Sequence, residues 1–160
     1  MHHMDMAAKS KDSSDHPKVS MLLNEQLCFA LYSAGLAMNK LYRKLLRNLG
    51  LTYSQYLVML VLWESHQVNV SEIGEKLFLD SATLTPLLKR LETSGLLKRA
   101  RAAADNRQVI ITLTKKGREL KQRAQDIPGA VMCASECTPV ELVALREQMN
   151  SLRKRLVKNI

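Results

Sequence analysis

Cys28 is the residue of this sequence best suited to covalent chemistry, because tyrosines recur near it at helical spacing. Residues 22–48 have the periodicity of one long helix. At about 100° per residue, Tyr32 and Tyr42 lie within roughly 40° of Cys28 around that helix, and Tyr32 is its i+4 neighbour. A phenol that donates a hydrogen bond to a thiolate favours the charged form, which attacks peroxides. The pattern therefore indicates redox chemistry at Cys28.

The same pattern has a simpler explanation. A cysteine in an apolar helix is more often an inert core residue, and a tyrosine at such a position more often serves packing. The neighbours Leu31, Gly35 and Met38 make the stripe apolar, which suits an alkyl hydroperoxide better than hydrogen peroxide. Spacing alone leaves both interpretations open.

Two further cysteines, Cys133 and Cys137, lie in the segment A-V-M-C-A-S-E-C-T-P, which we expect to join the last two helices. Their C-x-x-x-C spacing differs from the usual C-x-x-C of metal sites, and no histidine is nearby. A thiol peroxidase using Cys28 would need an anchor such as a T-x-x-C helix start, which the sequence lacks. We therefore predict no metal, no cofactor and no enzymatic activity. Either cysteine could also be a small buried hydrophobe.

The elements that must position these residues are mainly helical. Capping patterns of the S/T/N-x-x-E/Q type begin at Thr52, Asn69 and Thr138, while Gly50 and Gly95 are natural helix ends. Residues 52–113 read as helix, short helix, tight turn, helix and a β-hairpin formed by 96–102 and 107–113. This order predicts a winged helix-turn-helix, in which one helix enters the major groove of DNA.

The third helix of that unit is the predicted recognition helix. Asp80 can cap it, and its apolar positions form one buried stripe: Leu84, Leu87, Leu88 and Leu91. Pro86 leaves two starts open, because a proline inside a helix removes a backbone bond. The helix begins either at Ser81 and bends, or at Thr85 with Pro86 in its first position.

Positive charge is concentrated in this unit. Residues 89–118 contain nine Lys or Arg and two acids, so nine minus two gives +7 of the chain's formal +9. A basic stretch coinciding with a recognition helix and a wing favours DNA as the partner. Phosphate contacts by Lys115, Lys116 and Arg118 are as plausible as ordinary surface charge.

The 160 residues suffice for one domain, and the composition is that of an α-rich soluble protein. We expect residues 1–18 to be a disordered tail or tag remnant and residues 19–160 one domain. No apolar run approaches 18 residues and no signal peptide is evident, so we expect a cytoplasmic bacterial protein that does not enter membranes. Residues 22–50 and 114–160, with one helix from Thr114 to about Val131 and another from Pro139, have enough apolar surface to form a dimerisation layer. The fold class is thus mainly α with a small β-hairpin wing.

These motifs resemble the MarR family of winged-helix repressors over nearly all of residues 22–158. The resemblance rests on S-E-I-G-E-K-L, on L-L-K-R-L-E-x-x-G-L-L-K-R, and on D-N-R followed by I-T-L-T-K-K-G. L-C-F-A-L-Y at 27–32, Tyr42, and L-T-Y-S-Q-Y at 51–56 are similar to the organic-hydroperoxide-sensing repressors of that family, the OhrR type. The resemblance implies that Tyr32, Tyr42 and Tyr53 hydrogen-bond to the Cys28 sulfur.

The resemblance also implies partners and further site residues. Cys133 of the second copy would capture the oxidised Cys28 as an intersubunit disulfide; we favour Cys133 over Cys137 because it lies in the freer segment and at the family's position. Asp105 would hold Arg107 for the minor groove, although a solvated hairpin pair is the alternative. Major-groove and phosphate contacts would come from Ser81, Thr83, Thr85, Lys89 and Arg90.

The sequence therefore predicts a homodimeric repressor that binds an inverted-repeat operator, its recognition helices about 34 Å apart. Organic hydroperoxide would be the inducer. The alternative is a MarR-type repressor released by a small aromatic ligand, with inert cysteines.

Overall fold

Seven helices and three short strands make up the part of the chain that this computed structural model describes, residues 20–65, 67–103 and 107–160. The helices are α1 (Leu27–Leu45), α2 (Tyr53–Glu64), α3 (Val70–Leu77), α4 (Ser81–Thr93), α5 (Lys115–Ala124), α6 (Ile127–Ser135) and α7 (Pro139–Val157). The strands are β1 (Gln67–Asn69), β2 (Leu97–Arg101) and β3 (Val109–Leu113), and short 3₁₀ turns lie at Leu23–Glu25 and Arg47–Leu49. The chain divides into two units, Met1–Leu36 and Ala37–Ile160. His66 and Asp105 lie outside the described residues.

The predicted fold class is confirmed, and the local capping signals explain most helix boundaries. Reciprocal capping boxes start α2 at Thr52, α3 at Asn69 and α7 at Thr138. Each box satisfies two backbone N–H groups that a helix start would otherwise leave without partners. Gly50 and Gly95 adopt the left-handed conformation expected of helix ends, with φ of 67° and 73°.

The first predicted helix is shorter than expected. Residues 22–48 were predicted as one helix, but α1 begins at Leu27, because Gln26 is extended with φ −85° and ψ 126°. The Gln26 side-chain amide donates a hydrogen bond of 3.2 Å to the Leu22 carbonyl oxygen and completes a separate turn there. Cys28 consequently lies in the first turn of α1.

The helix predicted from Thr114 to about Val131 is two helices. Thr114 caps α5 as expected, yet α5 ends at Ala124 and α6 begins at Ile127. Pro128 explains the break, since it has no N–H to donate and its ring would collide with the carbonyl four residues earlier. In the first turn of a new helix the missing N–H costs nothing.

The wing belongs to a three-stranded sheet, of which the sequence predicted two strands. β3 is central and pairs antiparallel with both neighbours, so that Ile111 lies opposite Val68 of β1 and Arg99 of β2. β1 has three residues, too few to show an alternating pattern. The sequence pattern therefore could not predict β1. This strand forms because the edge of β3 that does not pair with β2 is available to it.

The core lies within residues 37–160 and centres on α2, α3, α4 and the sheet. Its largest fully buried side chains are Leu46, Val58, Met59, Leu62, Ile73, Leu84, Leu88, Leu91, Leu97 and Ile111. Pro86 lies inside α4, which settles the question of its start in favour of Ser81. Among the described helices, none combines the length and apolarity needed to span a membrane.

Gly117 sets the distance between α5 and the start of β2. A Cβ at this position would lie 2.0 Å from the Leu96 carbonyl oxygen and 3.1 Å from a methyl carbon of Leu113. The contact is with backbone, which cannot move aside like the end of a flexible side chain. Glycine is thus required where α5 packs against the end of the recognition helix.

We predict that Gly117→Ala lowers the free energy of unfolding by about 2–3 kcal/mol, the usual cost of overpacking a closed site. Gly129→Ala is the matched control, because a Cβ at Gly129 meets no atom within 4 Å. Chemical denaturation of both variants checks the prediction. An unfolding midpoint of Gly117→Ala equal to that of Gly129→Ala would contradict it.

Candidate functional site

One face of α4 is exposed and carries the side chains predicted to contact DNA. Leu84, Leu88 and Leu91 are buried on the opposite face, at 1%, 1% and 0% exposure. This amphipathic division turns small polar groups and cations outward, as recognition of base edges and phosphates requires. The exposed residues are Ser81, Thr83, Thr85, Lys89 and Arg90.

Both ends of α4 are fixed by local hydrogen bonds. At its start, the Asp80 carboxylate accepts a bond of 2.7 Å from the Thr83 N–H, and this bond lowers the pKa of Asp80. At its end, the Leu96 N–H donates to the Leu91 carbonyl oxygen and the Gly95 N–H to that of Glu92. These paired bonds form a Schellman motif, which ends the helix at a defined angle to β2.

An ion pair joins α4 to the wing. The Arg99 side chain donates to Glu92 at 2.7 Å, and the Arg99 backbone N–H donates to the same carboxylate at 3.1 Å. These bonds hold the pKa of Glu92 below its usual range. Our sequence analysis missed this pair, although an acid and a base on either side of the Gly95 turn were a usable signal.

The cations at the start of α5 have structural partners. Lys116 donates a hydrogen bond of 2.9 Å to the Ser94 carbonyl oxygen, and Arg118 one of 2.8 Å to that of Leu113. Lys115 forms a longer, exposed ion pair with Glu119 at 3.7 Å. Lys116 thus stabilises the end of the recognition helix. These cations therefore make structural hydrogen bonds or ion pairs in addition to adding positive charge to the surface.

A cleft of about 450 Å³ lies between α3, α4 and the wing. Thr85 and Leu88 line it from α4, and Arg99 and Arg107 line it from the wing. Arg107 is exposed, as a minor-groove contact would require. Its predicted partner Asp105 is outside the described residues, so that pairing stays a prediction.

Tyr42 and Tyr53, two of the predicted sulfur ligands, stack on each other. Their ring centroids are 4.1 Å apart with an interplanar angle of 16°. Tyr56 packs against Tyr42 at 5.6 Å and edge-on against Trp63 at 6.2 Å. The Trp63 indole donates a 2.9 Å hydrogen bond to the Gly117 carbonyl oxygen. An aromatic chain therefore runs from the tyrosine pair to α5.

The surroundings of the Tyr42 phenol disfavour its ionised form. Burial, followed by the nearby Tyr53 and Tyr56, raises the pKa of Tyr42 to about 12. Burial also raises the pKa of Tyr53. At neutral pH both side chains are hydrogen-bond donors, the form that could stabilise an anion such as a thiolate.

Cys28 and Tyr32 lie in the other unit, on the first two turns of α1. Both side chains are exposed, Tyr32 to 63%. They are i, i+4 neighbours on a continuous helix, as the sequence predicted. The apolar residues around them are exposed as well: Leu27, Leu31 and Leu36.

Cys133 and Cys137 differ in setting, and not as predicted. Cys133 lies within α6 rather than in the segment between helices, whereas Cys137 lies in the short junction before α7. The Cys133 side chain is exposed and that of Cys137 is partly buried. The Ser135 hydroxyl accepts a bond of 3.3 Å from the Cys137 N–H, and the Cys137 sulfur lies 3.3 Å from the Ser135 carbonyl oxygen. The observation that favours Cys133 as a reactive thiol is the exposure of its side chain. The position between helices that the sequence analysis assumed is not found.

Three helices followed by a two-stranded wing, with an exposed polar face on the third helix, define a winged helix-turn-helix DNA-binding protein. A family model described as Transcriptional regulator SarA/Rot matches residues 40–124. The organic hydroperoxide resistance transcriptional regulator of Bacillus subtilis is 45% identical over 136 residues, which cover 85% of this chain and 92% of the relative. The chain belongs to the MarR/SarA family of winged-helix transcriptional regulators.

Two further relatives match a similar share of this chain. The HTH-type transcriptional regulator TtmR of Methylorubrum extorquens is 52% identical over 134 residues, 84% of this chain and 69% of the relative. AbfR, known from Staphylococcus epidermidis, matches in its reduced, DNA-bound form at 41% identity and TM-score 0.65, covering 84% of this chain and 95% of that one. Its disulfide form matches at 42% identity and TM-score 0.56, with coverages of 81% and 91%.

The raised pKa of Tyr42 predicts a late step in a phenol titration. The phenolate absorbance lost in Tyr42→Phe should develop near pH 12, whereas an ordinary tyrosine ionises near pH 10. In the unfolded chain Tyr42 ionises near pH 10, before it ionises in the folded protein. The stabilisation of the folded state by neutral Tyr42 is therefore present below pH 10 and is lost as the pH rises towards 12. A difference titration with a midpoint near pH 10 in the folded protein would contradict the burial of this phenol.

Proposed function

We propose that this regulator is a homodimeric repressor that binds operator DNA while Cys28 is reduced and releases it when an organic hydroperoxide oxidises Cys28. The observation that carries the proposal is an exposed thiol in the first turn of α1, beside Tyr32, in a winged-helix chain that also has a stacked pair of protonated tyrosines. The 45% identity to the Bacillus subtilis hydroperoxide resistance regulator supports the same chemistry.

Exposed apolar side chains support association of two copies. No residue of α1 or α7 is buried. Along α7, Leu145, Met149 and Leu156 are exposed to 47%, 41% and 57%, on the stripe that the sequence analysis assigned to a dimerisation layer. Contiguous apolar surface of this kind marks a protein interface. A second copy is the simplest occupant, because each copy carries the same exposed apolar side chains on α1 and α7.

Helical rise adds a reason for two copies to share one site. Fourteen residues of α-helix, the separation of Cys28 from Tyr42, span about 21 Å at 1.5 Å per residue. The sequence analysis compared only the angles of Cys28 and Tyr42 around the helix. A similar angle does not bring two side chains together when they are this far apart along the helix axis. Tyr32 is within reach of Cys28 in the same chain, but Tyr42 and Tyr53 would have to come from the second copy.

The chemistry then proceeds in two balanced steps. The Cys28 thiolate attacks one peroxide oxygen, so that an S–O bond forms, the O–O bond breaks, and the alkoxide leaves as the alcohol after taking up a proton. A thiolate of the second copy attacks the sulfur of the resulting sulfenic acid, so that an S–S bond forms, the S–O bond breaks, and the hydroxide that leaves takes up a proton to become water. Phenol donors beside the sulfur favour the first step by stabilising its anionic form.

Cys133 is the better candidate for the second thiol. Its side chain is exposed, whereas Cys137 is partly buried with its sulfur against the Ser135 carbonyl oxygen. The α6 helix that holds Cys133 is separated from the winged unit by the break at Pro128. A covalent link at Cys133 can therefore shift the helices of the dimer layer, and the DNA-binding units would move with them.

The energetic demand on such a switch is small. A hundredfold loss of operator affinity corresponds to about 2.7 kcal/mol. Each bidentate base contact contributes about 1–3 kcal/mol of discrimination, so misplacing one or two of them suffices. Changing the spacing of two recognition helices relative to one DNA turn would misplace several at once.

We predict that hydroperoxide converts the reduced protein into a covalent dimer that has lost at least about tenfold in operator affinity. Cys28→Ser should neither crosslink nor release DNA. Cys133→Ser should stop the crosslink, and Cys137→Ser, the matched control, should leave it intact. Non-reducing gels and operator titrations on the same samples check this. An unchanged operator affinity after full oxidation of Cys28 would contradict the proposal, and a crosslink that requires Cys137 would reassign the second thiol.

A second candidate function rests on the cleft between α4 and the wing. Thr85, Arg99 and Arg107 line it with hydroxyl and guanidinium groups suited to an aromatic acid. Arg99 is already bound to Glu92, which reduces its attraction for an anion. Operator release by phenolic acids in a variant lacking all three cysteines would favour this candidate over peroxide sensing.

For DNA binding we predict that Lys89→Met weakens operator affinity and lowers the salt dependence of binding. Losing one phosphate contact per copy removes about two contacts from a dimer, so the slope of log affinity against log salt should fall by about 1.8. Lys158→Met is the control, because Lys158 is equally a lysine but lies at the end of α7. Equal salt slopes for both variants would remove Lys89 from the interface.

A further inference from the structure

Phe78 has an unusual position in the turn between α3 and α4. Its backbone is left-handed, with φ 55° and ψ 38°, and 65% of the residue is exposed. The Arg153 guanidinium carbon lies 4.0 Å from the centroid of the Phe78 ring, within cation–π range. Arg153 belongs to α7, so the contact joins the C-terminal helix to the turn of the DNA-binding unit.

The backbone at Phe78 needs support. A left-handed conformation is unfavourable for a residue with a Cβ, and glycine is the usual choice at this place in a helix end. Here the conformation lets the Leu79 N–H donate a 2.9 Å hydrogen bond to the Gly74 carbonyl oxygen. Asp80 follows directly and caps α4. The conformation of Phe78 therefore sets the direction in which the recognition helix begins.

Arg153 is well placed to hold this turn. It is partly buried although its helix contains no fully buried residue. Arg99 and Lys116 hold the C-terminal end of α4, but they belong to the wing and to α5. Arg153 instead connects the N-terminal end of α4 to the helix whose apolar stripe we assign to the contact between copies.

We propose that Arg153 is a positioning residue that couples α7 to the recognition helix through the Phe78 ring, and that this contact belongs to the DNA-binding form. The inference rests on operator binding by the reduced protein, as in the proposed function.

A purely electrostatic role for Arg153 makes a different prediction from a positioning role. If the guanidinium bound a DNA phosphate directly, its removal would lower the salt slope of operator binding by about 0.9 per contact. If it acts through the Phe78 ring, the slope is unchanged. Removing the ring, which carries no charge, must then have the same effect as removing the cation.

The test measures operator affinity of the reduced full-length protein for Arg153→Met, Arg153→Lys, Phe78→Leu and the double variant Arg153→Met/Phe78→Leu. Leucine keeps a Cβ, so Phe78→Leu changes the ring and not the backbone requirement. We expect Arg153→Met and Phe78→Leu each to lose about tenfold, since each contact is worth roughly threefold and a dimer has two. The double variant should lose no more than either single one, and Arg153→Lys should stay within about threefold of wild type.

Additive losses in the double variant, or a lower salt slope for Arg153→Met, would overturn the proposal. Thermal unfolding of each variant identifies any variant that fails to fold. If Phe78→Leu fails to fold, the operator affinity and the salt slope of Arg153→Met decide the test, because Arg153 is already partly exposed.

Coupling of the contact to the redox state is tested by a separate measurement. Arg153→Met should weaken the reduced form and not the oxidised form, so the ratio of their affinities falls about tenfold; equal weakening of both forms contradicts the coupling.

The two proposals fail separately. If wild-type protein keeps its operator affinity after peroxide, the sensing function is wrong, while the affinities of the reduced variants still test the Arg153 contact. If the variants behave additively but wild type responds to peroxide, only the coupling is wrong.

Discussion

The distance along α1 between Cys28 and Tyr42 is the constraint on which the functional account depends. A thiol and a phenol separated by about 21 Å of helix cannot share a hydrogen bond within one chain. Tyr42 itself stacks on Tyr53, with ring centroids 4.1 Å apart. Peroxide chemistry that uses both residues therefore requires two copies. Under the proposed function, association and sensing are one property of the molecule, because the surface that binds the second copy also completes the site.

Contacts between its helices and strands tie the winged unit together. Hydrogen bonds fix both ends of α4, and the ion pair of Glu92 with Arg99 ties it to the wing. Gly117 lets α5 approach the Leu96 carbonyl group closely. Lys116 donates a hydrogen bond to the Ser94 carbonyl oxygen, and Trp63 donates one to the Gly117 carbonyl oxygen. A shift in the dimer layer would thus reach the whole unit and not a single side chain. This rigidity is why a modest displacement could release an operator.

The sequence predicted what is local. Capping boxes, left-handed glycines and the buried stripe of α4 each depend on residues within one or two turns, so their signals are complete in the sequence. What it did not predict depends on distant partners. β1 exists because β3 pairs with it, and the Arg153 contact with Phe78 joins residues far apart in the chain. The break before α6 was a local signal that we overlooked, because Pro128 follows an otherwise helical stretch.

The central claim, that a tyrosine of one copy serves the thiol of the other, is tested most directly with mixed dimers. One copy carries Cys28→Ser and the other Tyr42→Phe, so the single remaining thiol faces an intact Tyr42 across the interface and a phenylalanine in its own chain. The rate at which hydroperoxide consumes that thiol is compared with the rates per thiol of the wild-type and Tyr42→Phe homodimers. The account predicts the wild-type rate, with the Tyr42→Phe homodimer slower by about tenfold, the effect of losing one charge-assisted hydrogen bond. A mixed dimer that reacts as slowly as the Tyr42→Phe homodimer would contradict it.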